Sequence, residues 1–132
     1  MRTVAILALF TVYTACQSET IIVEVNDGSG DPVSYSKQIQ PIFNTSCSGP
    51  GCHAGSGQHG VVLTSYDEVM DSYGLVYDSP IVIPGNASIS PITDKVGPSP
   101  IYGERMPLGQ PPLSNEEIQL LRDWIEQGAK DN

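Results

Sequence analysis

Basic residues are scarce in this chain. Its 132 residues carry six Lys and Arg against fifteen Asp and Glu, a formal net charge of −9. Phosphate would be repelled over most of such a surface, so nucleic-acid partners are excluded. Cysteine is scarcer still, with three in all, and they do not form the two pairs on which a structural zinc site draws. No apolar run is long enough to span a membrane as a stable helix. There is no internal repeat, and no nucleophile–base pairing that points to separate catalysis.

What is present begins at the N-terminus. One basic residue, Arg2, precedes an apolar run over residues 4–12, and small residues follow at Thr14 and Ala15. This pattern reads as an export signal over residues 1–15. The stretch "YTAC" resembles a bacterial lipobox, in which a small residue stands directly before a cysteine that is cleaved and lipidated, although Tyr13 holds the position where Leu is usual. Cys16 is therefore a candidate lipidation site. An unpaired thiol, or a disulfide with Cys47 or Cys52, is the alternative. Lipidation leaves the other two cysteines free to act as a pair. All fifteen acids follow the signal, so the mature chain carries about −10, a charge that suits solubility and the steering of basic partners.

Residues 16–33 read as the anchor cysteine and a flexible tether, because "NDGSGDP" is polar and turn-forming. Within it "IIVEV" suits either a short strand or linker. Residues 34–132 are expected to form one small domain. The chain's thirteen glycines and eleven prolines, the prolines crowding into residues 79–112, make it loop-rich. Such a chain has few long elements from which to build a core and needs a staple, a role that a buried cofactor fills.

Three helices are predicted. In the first, residues 35–45, Ile39, Ile42 and Phe43 share a face, and Pro41 forces a kink or a restart. The second covers residues 66–73, with Ser65 and Glu68 as a capping box and Gly74 as its stop. The third is the clearest: Ser114 and Glu117 cap it, Gly128 ends it, and Ile118, Leu121 and Ile125 mark a face widened by Leu120 and Trp124.

The chemistry-bearing stretch is "CSGPGCH", with Cys47, Cys52 and His53 within seven residues. Covalent haem attachment uses two thiols followed at once by a histidine, normally spaced C-x-x-C-H. Here Ser48, Gly49, Pro50 and Gly51 widen the gap to four residues, a bulge that two glycines and a proline can turn outward. From these seven residues alone a disulfide is an equal reading. A thioredoxin-like pair would want C-x-x-C opening a helix, which is absent. Downstream, "GERMPLGQPP" holds Met106 in a polar, proline-flanked loop rather than on an apolar helical face. That setting suits a thioether delivered to a fixed metal more than a core filler. His59, in a glycine-rich loop, is the rival ligand, and Arg105 either contacts a haem propionate or is exposed charge.

From residue 35 to the end, the chain resembles small monohaem c-type cytochrome domains, most of all the planctomycete-type cytochromes. The matching stretches are "YSKQIQPIFNTSCSGPGCH", "GVVLTSYDEVMDSYG", "IVIPGNASISPI" and "ERMPLGQPPLSNEEIQLLRDWIEQGA". The resemblance implies an all-α, cytochrome c-like fold, about three helices around one covalently bound haem c. It implies Cys47 and Cys52 as thioether attachment points, His53 as proximal ligand and Met106 as distal ligand. The function it implies is one-electron transfer between redox protein partners at the cell envelope, by a lipid-anchored carrier rather than an enzyme. Other classes compatible with the same residues are a redox subunit or sensor domain of a larger envelope enzyme, and a haem-free, disulfide-stapled binding module.

Overall fold

The computed structural model describes residues 30–55 and 57–132. The export signal, Cys16 and most of the expected tether lie outside them. Among the described residues the order is a π-helical turn at Tyr35–Ile39, α1 (Gln40–Ser46), α2 (Tyr66–Asp71), β1 (Tyr73–Gly74), β2 (Ser79–Pro80), α3 (Pro91–Val96) and α4 (Asn115–Glu126). None of these helices is long and apolar enough to cross a membrane.

This corrects the expected fold class. In place of an all-α, three-helix, cytochrome c-like arrangement the described chain forms four α-helices and a two-stranded antiparallel sheet pairing Tyr73 with Pro80 and Gly74 with Ser79. The additional helix, α3, lies inside the stretch read as a long Pro/Gly loop. Pro91 sits at its first turn, where the missing amide is no loss, and Ile92 and Val96 face the core from successive turns. The strands are too short to show alternation, so no period-2 signal announced them.

The first predicted helix is divided as Pro41 requires. A π-helical turn ends at Ile39 and α1 starts at Gln40, with the proline at an N-terminal position of the new helix. Ile39, Ile42 and Phe43 are all buried. Helix α4 carries both capping-box bonds, the Glu117 amide to Ser114 Oγ at 3.1 Å and the Ser114 amide to Glu117 Oε2 at 2.8 Å. Its inner face is Leu121, Trp124 and Ile125, with Ile118 and Leu120 partly buried beside them.

One core joins these elements. The Tyr35 ring lies 5.3 Å from Trp124 and 5.1 Å, edge to face, from Tyr66. The polar tips of this cluster are satisfied: Trp124 Nε1 donates to the Lys130 carbonyl at 2.9 Å and the Tyr66 hydroxyl to the Ala129 carbonyl at 2.9 Å. The two ends of the domain meet. Val33, in the last part of the expected tether, is buried and donates its amide to Gln127 Oε1 at 2.8 Å. The Asn132 side chain accepts the Tyr35 amide at 2.8 Å, and its carbonyl accepts the Ser36 amide at 3.1 Å.

Candidate functional site

Helix α1 runs out at Cys47, whose amide still bonds back to the Phe43 carbonyl at 2.9 Å. The next residues form a closed loop. The Cys52 amide donates to the Gly49 carbonyl at 3.0 Å and the His53 amide to the Cys47 carbonyl at 3.0 Å. Gly51 takes φ +78°, a left-handed conformation for which glycine carries no steric cost. Pro50 and Gly51 are exposed, whereas Ser48 stays against the helix end with its amide on the Phe43 carbonyl at 3.0 Å, and Cys47 and His53 remain hydrogen-bonded neighbours. Cys47 and Cys52 are both half-buried free thiols.

His53 is held at its ring as well as its backbone. Its Nδ1 lies 3.2 Å from the Val61 carbonyl, and its own carbonyl accepts the Leu63 amide at 2.8 Å. With Nδ1 donating to a carbonyl, Nε2 is left as the lone-pair nitrogen, the arrangement that metal-ligating histidines adopt. Burial pulls the imidazole below the usual histidine range, favouring the neutral form that can coordinate. Burial, with Cys52 and Glu117 adding to it, pushes the Cys47 thiol up to about 11.

These residues border a cavity of about 310 Å³, the lower end of the range of about 300–1,000 Å³ usual for small-molecule sites. Its walls are apolar, with Phe43, Leu63, Ile81, Ile92, Val96 and Leu113 among them. The chemistry on them comes from four separate segments: Cys47 at the end of α1, His53 and His59 in the following loop, Lys95 on α3, and Met106 in the loop before α4. Sequence reasoning put Met106 some fifty residues from the CysCysHis stretch and on an unrelated loop; the fold brings both to one cavity.

The remaining candidates fall as follows. Cys52 is not part of the cavity wall, although it directly precedes His53. Arg105 is not part of it either; its Nε donates to the Val96 carbonyl at 2.9 Å. His59 does line the cavity, but on an exposed part of the loop and with φ 54°, rare for a non-glycine residue. Lys95 was missed, because one lysine in a Pro/Gly-rich stretch carries no sequence signal.

The donor set suits a haem. One half-buried imidazole with its second nitrogen tied to a carbonyl, one thioether and one thiol share an apolar cleft, while the second thiol precedes the histidine in sequence but lies off the wall. Among the described residues no three His, Cys, Asp or Glu side chains gather as ligands for a bare ion. A haem asks for no such cluster, since its macrocycle supplies four of the iron's ligands. No protein-family model, curated protein or solved structure matches the chain. None of these comparisons adds support to the resemblance read from the short motifs.

Proposed function

We propose that this chain is a single-haem electron-transfer protein of the bacterial cell envelope, built on a helix-and-hairpin scaffold. The observation that carries the reading is the presence of Cys47, His53 and Met106 on the wall of one apolar cavity. Cys47 and Cys52 would supply the thiols for thioether attachment, Cys47 from the cavity wall and Cys52 from the position directly before His53. His53 Nε2 and Met106 Sδ would be the side-chain donors that hold the iron. Met106 is preferred to His59 as the second donor because it is half-buried and its amide is fixed to the Lys95 carbonyl at 2.8 Å, whereas His59 is exposed. Bound haem supplies the one-electron ferric–ferrous couple, and a thioether ligand raises its potential.

The chain's own part is to hold those donors, to exclude water with Phe43, Leu63, Ile92 and Leu113, and to leave an edge accessible. If His53 and Met106 both held the iron, no donor position would be left for a substrate, which favours a carrier over an enzyme. Leu75 and Leu108, 66 % and 63 % exposed at the cavity, suit contact with a redox protein partner. The export pattern and Cys16 support a lipid anchor at the envelope.

The deciding experiment is expression of the mature chain together with haem-maturation proteins, followed by a haem stain of a denaturing gel. A stained band in the native chain that disappears in the Cys47→Ser, Cys52→Ser double variant supports the reading. A folded but unstained native chain overturns it and returns the two cysteines to a disulfide staple.

A further inference from the structure

Helix α3 is only six residues long, yet its last three hold the whole segment that carries Met106. Asp94 accepts the Tyr77 hydroxyl and, at 2.9 Å, the Ile101 amide. Val96 accepts Arg105 Nε at 2.9 Å. Between them, Lys95 grips the segment twice. Its Nζ donates to the Tyr102 carbonyl at 2.8 Å and the Glu104 carbonyl at 2.7 Å, while its own carbonyl accepts the Met106 amide at 2.8 Å. Lys95 is half-buried and is the one Lys or Arg on the cavity wall among the described residues. Residues 98–112 contain no regular element to hold them otherwise. A charge-assisted donor bridging two loop carbonyls is a strong restraint on such a segment.

We propose that Lys95 is a positioning residue for Met106: by chelating the Tyr102 and Glu104 carbonyls it fixes the loop so that the thioether is presented to a metal in the cavity. This rests on the haem reading above. Lys95 does not itself act as the metal donor, and its ammonium is committed to the two carbonyls. Arginine can span the same two acceptors, whereas an uncharged side chain of similar length cannot.

The test uses the mature chain with Lys95→Met and Lys95→Arg. Two readouts are taken: hydrogen exchange at the Ile101 and Met106 amides in the protein as purified, and, in the haem-loaded protein, the thioether-to-ferric-iron absorption band together with the midpoint potential. Lys95→Met, which removes both charge-assisted bonds, is expected to speed exchange at Met106 by about tenfold or more, without changing exchange at Leu121 and Ile125. It is also expected to weaken or abolish the band and lower the potential, with Lys95→Arg restoring both. If Lys95→Met does not fold, Lys95→Gln, which keeps a donor without the charge, is measured in its place. Native-like exchange at Met106, or a native-like band and potential, overturns the role of Lys95 while the haem reading stands. A native chain without covalent haem, or a Met106→Ala variant that keeps the band, overturns the ligand reading itself and Lys95's role with it.

Discussion

Gly60 lies so close to Tyr73 that a Cβ on it would stand 2.5 Å from the Tyr73 carbonyl oxygen. The two are also bonded, the Tyr73 amide donating to the Gly60 carbonyl at 3.3 Å, and the Leu75 amide donates to the His59 carbonyl at 3.3 Å. This segment therefore runs along β1 and sets one wall of the cavity. Gly60 has φ +80°, so a side chain there meets backbone strain as well as the clash.

Gly60→Ala is expected to cost about 2 kcal/mol or more, since the left-handed conformation alone costs a non-glycine residue about 1–2 kcal/mol. Urea unfolding followed by circular dichroism measures it. A midpoint equal to that of the native chain would mean that the segment does not pack on β1 as described.

The core makes a larger prediction at Trp124, which is 1 % exposed. Trp124→Ala is expected to lose about 3–5 kcal/mol, the usual cost of removing a buried large aromatic, and a large share of a small domain's stability. Trp124→Phe keeps a ring against Tyr35 but leaves the Lys130 carbonyl without its donor, so its unfolding midpoint should fall between the other two.

Tyr35 makes the stability depend on alkaline pH. Burial, then Asp131, Glu68 and Tyr66, raise its hydroxyl well above the ordinary tyrosine range. The folded chain thus holds this proton more tightly than the unfolded chain does. The resulting stability is complete below about pH 10, the unperturbed tyrosine value, and is lost as pH climbs past it. Tyr35→Phe removes this dependence but gives up the 2.6 Å bond to Gln40 Oε1, so it starts less stable at neutral pH. Chemical denaturation from pH 7 to 11 should show the two stabilities converging; parallel curves would contradict the assignment.

At the start of α4, Ser114→Ala removes the oxygen that accepts the Glu117 amide. A loss of about 1 kcal/mol is expected, and less for Ser114→Gly. Thermal melts of the three proteins give the order directly.

The sequence was most readable where one local rule acted alone. Ser114, Glu117 and Gly128 bracket α4 because capping is decided within a few residues, and Ile39, Ile42 and Phe43 fall inside because one helical face must be buried. Pro41 announced the break that divides the first helix. Helix α3 was hidden, although Pro91 before Ile92 and Val96, with Gly97 after, was a usable signal; the surrounding prolines and glycines outweighed six residues. The hairpin depends on the pairing of Tyr73 with Pro80 and on the neighbouring Gly60, contacts that no local pattern encodes. At the site, the spacing of Cys47, Cys52 and His53 and the setting of Met106 were legible. The inward place of Cys47 relative to Cys52, the bond from Arg105 to Val96 and the grip of Lys95 all depend on tertiary contacts. The all-α expectation failed for the same reason: motifs resembling a family do not carry the long-range packing that defines its fold.

The meeting of Asn132 with Tyr35 and Ser36 has a practical consequence. Chain entry and chain exit share one place on the domain, while every residue of the cavity wall falls between Phe43 and Leu113. A tag or carrier domain appended at Asn132 would leave from the spot where the N-terminal segment arrives. A circular permutant that joins Val33 to Asn132 through a short linker should keep the cavity intact.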